Sequence, residues 1–157
     1  TREITFDLHP PVLDGFGLGS AIEGMASDFT QTTGIQTTLK IDYRGKREPP
    51  ELRAYLFRAV KELIVNVAKH ANARHVTITL ESSMDELFLA VEDDGQGFDV
   101  DAVFGTGEGL KGLGLFAMKE RVNALGGSFD IRSSAGRGTR VELLLPIGRD
   151  STLPEPA

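Results

Sequence analysis

One stretch of helical pattern carries a row of polar side chains whose chemistry suits a charged ligand. Every fourth residue is polar, in the order Arg58, Glu62, Asn66 and His70, so an α-helix places them on one side, with Lys69 beside Asn66. A carboxylate and an amide oxygen are the hard oxygen ligands that Mg²⁺ prefers, and the two basic side chains suit phosphate oxygens. A solvated face with an Arg58–Glu62 ion pair explains the same row, so the row alone leaves both interpretations open.

Glycines cluster after this helix, where eleven of the chain's eighteen fall between residues 95 and 138. Glycines let a backbone approach phosphates and expose its N–H groups. The first cluster, Asp93-Asp94-Gly95-Gln96-Gly97, ends an apolar run, and the Asp93 carboxylate could accept a hydrogen bond from an adenine amino group. An ordinary Asp-Gly turn is the alternative. The order of helix and loop predicts a site for Mg-ATP.

The second cluster leads directly into the third helical pattern. Its members are Gly105, Gly107, Gly109, Gly112 and Gly114, with Lys111 among them. The free N–H groups and the dipole of a helix start favour an anion there, which predicts a phosphate lid. A flexible linker is the alternative.

The third cluster, Gly136-Arg137-Gly138-Thr139, predicts a hairpin turn, with Thr139 at the start of its second strand. The spacing GxxxxGK[ST] is absent, and so is GxGxxG after a leading strand. The sequence therefore excludes P-loop and Rossmann sites and requires another ATP-binding fold.

Apolar periodicity predicts the elements that must position these residues. Helices are expected from Leu18 to the cap at Gly34, over 51–71, and from Leu115 to Gly126-Gly127. Strands are expected near 35–41, 76–80, 87–91, 129–131 and 141–145, the last four as two hairpins. Helices and hairpins in blocks predict an α/β two-layer sandwich, with a mixed, mostly antiparallel sheet and about three helices on one face.

Composition restricts the class of protein further. The chain has 157 residues, 40% of them apolar, which suits one compact domain, and no apolar run is long enough to span a bilayer. The formal net charge of −6 argues against a nucleic-acid partner. The lack of cysteine excludes thiolate metal sites and agrees with a reducing compartment. We expect a cytoplasmic location, although a parent protein could be membrane-anchored.

Four motifs in order resemble the GHKL ATPases, and most of all the catalytic domain of histidine kinases. They are the N box from Glu62 to His70, the glycine boxes at 93–97 and 112–115, and the segment Gly136-Arg-Gly-Thr139. The resemblance implies a fold of the Bergerat type over residues 51–146. It also implies that the ATP γ-phosphoryl group moves to a histidine, with catalysis coming mainly from positioning and charge neutralisation.

The resemblance assigns roles to individual residues. Glu62 and Asn66 would be catalytic, and the same two would hold Mg²⁺. Asp93 would recognise adenine, and Lys69 and His70 would touch phosphates. The full set expected to bind the nucleotide is Asn66, Lys69, His70, Asp93, Gly95, Gly97, Lys111, Gly112, Leu113, Gly114 and Thr139.

The segment from Leu8 to Leu18 resembles the junction after the dimerisation helices of sensor kinases that signal to LuxR/NarL-type response regulators, although His9 stands where arginine is commoner. This predicts the end of a dimerisation helix and a linker over 1–14, the ATP-binding domain over 15–148 and a disordered tail over 149–157. The implied partners are the dimerisation domain of the same kinase and a response regulator. We expect a monomeric fragment from a homodimeric parent.

No histidine of this chain resembles a phosphoacceptor, since His9 abuts two prolines, His70 belongs to the N box and His75 begins a strand. We therefore expect the fragment to bind ATP without phosphorylating itself. Three alternatives keep the nucleotide site: a serine kinase of the anti-sigma-factor type, an ATPase subdomain like those of gyrase or Hsp90, and a non-catalytic nucleotide-sensing module.

Overall fold

A computed structural model describes residues 11–43, 48–101 and 110–147. These ranges contain five strands and the helices α1 (Pro11–Thr33), α2 (Pro50–Asn66) and α3 (Leu110–Ala124). A π-helical turn (Val67–Ala71) continues α2. Within these ranges, none of the helices combines the length and the apolar character that crossing a bilayer requires.

Two of the helices begin earlier than the sequence predicted. Helix α1 starts at Pro11 instead of Leu18, because proline at a helix start gives up an N–H that has no partner there anyway. Its backbone is non-helical at Gly17, with φ 91° and ψ 176°, so the helix is interrupted there. Helix α3 starts at Leu110, so Gly112 and Gly114 lie in its first turns and not in the loop before it.

The strands are β1 (Gln36–Asp42), β2 (His75–Ser82), β3 (Glu86–Asp93), β4 (Ser128–Ser133) and β5 (Thr139–Pro146). They form one sheet in the order β1-β2-β3-β5-β4. Only β1 and β2 are parallel, and α2 supplies the crossover that a parallel pair needs. The other three pairs are antiparallel. This confirms the predicted mixed, mostly antiparallel sheet and both hairpins.

The hydrophobic core lies between one face of the sheet and the helices. Alternate residues of the three central strands point to it and are almost fully buried, and helical side chains of all three helices complete it. The opposite face carries polar residues such as Lys40, Thr79, Glu92 and Arg140. The architecture is the predicted two-layer α/β sandwich. The central strand residues of the core are Val76, Ile78, Leu80, Leu87, Leu89, Val91, Val141, Leu143 and Leu145.

Strand register brings the motif-bearing ends together. Asp93, the last residue of β3, pairs with Thr139, the first residue of β5, and on its other side with Val76 near the start of β2. The glycine loop after Asp93 contacts the π-turn that ends α2. The end of α2, the loop after β3 and the start of β5 therefore meet at one edge of the core.

Candidate nucleotide-binding site

A single pocket opens at this edge, between the end of α2, the π-turn, β3, β5 and α3. It brings together Asn66, His70, Asp93, Gly97 and Thr139, which the sequence analysis selected from three separate segments. Most of the remaining wall is apolar. The full lining is Leu63, Asn66, Val67, His70, Ala71, Val91, Asp93, Gly97, Phe98, Leu115, Thr139 and Val141.

The π-turn decides which basic side chain reaches this pocket. In an α-helix, the side chains of Lys69 and Asn66 would point in directions roughly 60° apart around the helix axis. A π-turn holds more residues per turn, so this angle is larger and Ala71 turns towards the pocket. His70 and Ala71 line the pocket accordingly, while Lys69 is exposed and lies outside the lining. A contact between Lys69 and a phosphate stays a prediction.

The glycine loop packs its backbone against the π-turn. A Cβ on Gly95 would lie 2.2 Å from the carbonyl oxygen of Ala71, so no larger residue fits without moving that turn. The N–H of Gln96 donates to the same oxygen at 2.6 Å, and the Gln96 side-chain amide donates to the carbonyl of His70, also at 2.6 Å. The glycine at position 95 is therefore needed for close packing, whatever ligand the loop contacts.

Asp93 is a buried carboxylate in a mostly apolar wall, with 8% of its surface exposed. Burial raises the pKa of this carboxyl, the neighbouring Asp94 and Glu92 charges add to the increase, and hydrogen bonds from the backbone N–H groups of Gly95 and Thr139 oppose it. The Gly95 N–H donates to one carboxylate oxygen at 2.8 Å. A carboxylate in this setting is suited to accept a hydrogen bond from a ligand, because water competes weakly there.

Thr139 belongs to a hydroxyl network under the same wall. Its Oγ1 lies 2.8 Å from Ser133 Oγ, which also donates to the carbonyl of Gly138 at 3.0 Å and accepts from the N–H of Phe98 at 2.8 Å. The network ties the strand ends to the segment after the glycine loop, so it holds the Phe98 ring at the pocket.

Glu62 lies one helical turn before Asn66, outside the pocket lining, and faces the start of α3. A Cβ on Gly114 would lie 2.1 Å from Glu62 Oε1, so α3 approaches this carboxylate closely only because residue 114 is glycine. Within the described residues, no salt bridge joins Glu62 to Arg58. The ion pair required by the solvated-face interpretation is therefore not formed.

Some predicted site residues cannot be placed. Gly105, Gly107 and Gly109, the core of the predicted lid, lie outside the described residues. Lys111, Gly112 and Leu113 lie in the first turn of α3. Their contacts with a nucleotide stay predictions.

Sequence reasoning missed the apolar wall of the pocket. The apolar wall residues follow the same periodicity as the core, so periodicity alone does not separate pocket residues from core residues. These wall residues are Leu63, Val67, Val91, Leu115 and Val141. A usable signal was proximity in sequence, since Leu63 and Val67 flank Asn66 on the same helical face and Val91 precedes Asp93 by one strand repeat.

The donor set fits Mg²⁺ bound together with phosphates. Asn66 offers an amide oxygen at the pocket, and Glu62 offers an exposed carboxylate four residues earlier on α2. Among the described residues there is no group of three or more His, Cys, Asp or Glu side chains suited to a metal ion. Few protein ligands are enough for Mg²⁺, because phosphates and waters complete its octahedron.

Comparison with known proteins gives the same assignment. Residues 51–149 match the family of histidine kinase-, DNA gyrase B- and HSP90-like ATPases. The signal transduction histidine-protein kinase/phosphatase DegS of Brevibacillus brevis is 35% identical over 146 residues, which are 93% of this chain and 36% of DegS. The sensor histidine kinase NarS of Mycobacterium tuberculosis is 36% identical over 151 residues, which are 94% of this chain and 34% of NarS.

A solved structure agrees in fold. The blue-light activated histidine kinase of Erythrobacter litoralis EL346 aligns with a TM-score of 0.66 and 26% identity, over 83% of this chain and 45% of that one. This chain thus spans about a third of the length of the two curated relatives. Because the matched family covers most of the chain, from α2 to the end of β5, the protein belongs to the histidine kinase-, DNA gyrase B- and HSP90-like ATPases, and membership implies an ATP-binding domain.

Proposed function

We propose that this chain is the catalytic domain of a sensor histidine kinase. It binds Mg-ATP in the pocket between α2 and β3 and transfers the γ-phosphoryl group to a histidine on a dimerisation domain. The observation that carries the proposal is the single pocket joining Asn66 and His70 of the helix with Asp93 and Gly97 of the glycine loop. The similarity to DegS and NarS over nearly the whole chain supports the kinase in preference to the other members of the family.

The adenine end of the ligand fits the Asp93 side of the pocket. The base would lie against apolar side chains such as Val91 and Leu115, and its amino group would donate to the Asp93 carboxylate. A site built to hydrogen-bond one group discriminates strongly against an analogue that lacks it. We therefore expect adenine to be preferred over hypoxanthine, whose ring carries a carbonyl oxygen in place of the amino group.

The phosphate end fits the Asn66 side. Asn66 and Glu62 would hold Mg²⁺, which when bound neutralises phosphate charge and orients the phosphates. His70 is the basic side chain that the pocket wall presents. Lys69 and Lys111 are further candidates for phosphate oxygens. Because the chain has a net charge of −6, these local cations and the metal are needed to neutralise the charge of a polyanionic ligand.

The proposed transfer is an in-line displacement. An imidazole nitrogen of the acceptor histidine attacks the γ-phosphorus, the bond to the bridging oxygen of ADP breaks, and ADP leaves as the nitrogen–phosphorus bond forms. Glu62, exposed beside the start of α3, positions the imidazole and accepts the proton that it loses. Positioning and charge neutralisation supply most of the rate enhancement for such a transfer.

Phosphoryl transfer in trans tests this function. The chain is mixed with radiolabelled Mg-ATP and with the dimerisation domain of its parent kinase, and label is measured on each polypeptide. We expect label on the dimerisation domain and none at stoichiometric level on this chain. A Glu62→Gln variant, whose amide oxygen can still contact the metal but cannot accept the proton, should retain ATP binding and lose most of the transfer. Glu51→Gln, on the same helix and exposed, should leave both unchanged.

Two results would contradict the proposal. Stoichiometric label on this chain would show an acceptor within it, and a chain that binds ATP without any transfer to the added domain would favour the nucleotide-sensing module. A LuxR/NarL-type response regulator is the proposed final acceptor, and passage of label from the dimerisation domain to such a regulator tests that step.

A further inference from the structure

Gln96 joins three segments near the pocket through three short hydrogen bonds. Its backbone N–H donates to Ala71 O at 2.6 Å, and its side-chain amide donates to His70 O at 2.6 Å. Its own carbonyl accepts the N–H of Gly136 at 2.6 Å. The π-turn, the glycine loop and the β4–β5 turn are therefore linked at one residue.

The two oxygens that Gln96 engages are the last two carbonyls of the π-turn. Carbonyls at a helix end have no partner within the helix, and the chain leaves this turn at Asn72, whose φ of 52° is left-handed. The backbone bond to Ala71 is available to any residue at position 96. The bond to His70 requires a side chain with a donor of the right length, so only this bond depends on glutamine.

We propose that Gln96 is a positioning residue whose side-chain amide holds Val67–Ala71 in the π-helical form, and so determines which side chains face the pocket. In the π-helical form His70 and Ala71 line the pocket and Lys69 does not. Relaxation towards an α-helix would advance each residue further around the axis, which turns Lys69 towards the pocket and Ala71 away from it.

Gln96 itself is exposed and does not line the pocket. It therefore acts through the turn and makes no contact of its own with the ligand site. π-helical turns concentrate at functional sites, where a local departure from α-helix re-aims side chains. The assignment of the ligand as Mg-ATP rests on the proposed function, but the effect of Gln96 on the turn does not.

Substitutions that remove or keep the donor test this inference. Gln96→Met keeps the length of the side chain and removes the amide, and Gln96→Lys keeps a donor at similar reach. Gln31→Met makes the same chemical change at an exposed position of α1 and serves as the control. Thermal unfolding of each variant shows first that the fold is kept, as expected for exposed side chains.

The first measurement is backbone amide hydrogen exchange in the nucleotide-free chain. Loss of one hydrogen bond corresponds to about a two- to tenfold increase in local opening. We expect Gln96→Met to raise exchange by that factor over residues 67–72 and not in β2 or β3, with wild-type exchange in Gln96→Lys and Gln31→Met. Unchanged exchange in Gln96→Met, or a lysine variant that behaves like methionine, would overturn the inference.

The second measurement compares Mg-ATP with adenosine by calorimetry. Because the turn decides which side chains lie near the phosphates, Gln96→Met should change the affinity for ATP about two- to tenfold and leave that for adenosine nearly unchanged. An equal change for both ligands, or no change for ATP, would overturn the positioning role. If the wild-type chain bound no ATP while the exchange results held, the proposed function would fail and the role of Gln96 in the turn would stand.

Discussion

Two regions of this molecule bury a carboxylate, and they do so in opposite ways. Glu48, 2% exposed, bonds to the guanidinium of Arg53 at 2.9 Å and accepts the hydroxyl of Tyr43. Asp93, 8% exposed, has no cation among its bonded partners in the described structure and relies on backbone N–H groups. The first carboxylate is paired with a cation of its own chain, and the second faces a pocket.

The difference separates a structural role from a recognition role. The Tyr43–Glu48–Arg53 cluster ties the end of β1 to the start of α2, and burial together with the Glu48 carboxylate raises the pKa of the Tyr43 hydroxyl. None of the three lines the pocket. A buried carboxylate that is paired with a cation maintains the fold, whereas one without a paired cation at an apolar pocket wall is available to a ligand.

The largest expected effect comes from breaking the structural pair. Glu48→Ala removes the carboxylate that pairs with the buried Arg53 guanidinium, which costs about 3–5 kcal/mol. For a domain of this size the midpoint of thermal unfolding should fall by roughly 6–20 °C. Nucleotide affinity of the folded protein at low temperature should not change. Calorimetric unfolding and ATP titration of the same samples check both, with the exposed Glu51→Ala as control.

The next effect comes from the recognition carboxylate. Asp93→Asn removes a charge-assisted hydrogen bond worth about 1.5–3 kcal/mol, so ATP should bind about 10- to 150-fold more weakly. It should also reduce the preference for ATP over inosine triphosphate. Asp94→Asn is the matched control, because its Oδ1 accepts the N–H groups of Arg74 and His75 outside the pocket and an asparagine oxygen can replace it. An equal loss of ATP affinity in Asp93→Asn and Asp94→Asn would contradict the adenine contact.

A smaller effect should follow from filling the gap between α2 and α3. Gly114→Ala places a methyl group against Glu62 Oε1, and the flexible carboxylate must move aside. Alanine stabilises a helix interior by about 1 kcal/mol relative to glycine, so the free energy of unfolding should be unchanged or slightly higher. Transfer to the dimerisation domain should fall while ATP affinity is kept. A transfer rate equal to that of the wild type would show that the position of Glu62 is not critical.

The smallest effect is a difference in pH dependence between the adjacent aspartates. Burial raises the pKa of Asp93, so its contribution to stability is present below its unfolded pKa of about 3.9 and is lost as pH rises through the folded value. Hydrogen bonds from the Arg74 and His75 backbone lower the pKa of Asp94, so its contribution is present above the unfolded value and is lost as pH falls through the folded value.

The stabilities of the two asparagine variants should therefore depend on pH in opposite directions in the nucleotide-free state. Relative to the wild type, Asp93→Asn should gain stability as pH rises above about 4, and Asp94→Asn should lose stability over the same rise. Denaturant unfolding at a series of pH values measures both. If the stability of both variants relative to the wild type changed in the same direction with pH, the proposed contrast between the environments of Asp93 and Asp94 would be wrong.

The sequence predicted the fold because the apolar positions of each strand and helix repeat with the right period. Asp93 and Asn66 could be brought together from sequence because one ends a buried strand and the other ends a helix that packs on that strand. The π-turn could not be predicted from the sequence. Its backbone hydrogen bonds span five residues instead of four, but Val67–Ala71 is too short a segment for this change to alter the apolar periodicity. The position of Lys69 outside the pocket lining could not be predicted for the same reason.

Two further features depend on contacts that the sequence does not show. The start of α3 was placed too late because glycines argue against a helix, whereas Gly114 is required there by the approach of Glu62. The burial of Glu48 could not be predicted, because nothing in the polar segment from Arg44 to Pro50 indicates that this one carboxylate packs against Arg53. Both are pairwise packing effects between separate elements.

A crystal structure of the chain with Mg²⁺ and a non-hydrolysable ATP analogue tests the central claim most directly. It should show the adenine amino group about 3 Å from an Asp93 carboxylate oxygen, with the metal bound by the Asn66 amide oxygen. A nucleotide bound elsewhere, for example in the open groove beside Arg132, Arg137 and Arg140, with the Asp93 pocket empty, would contradict it.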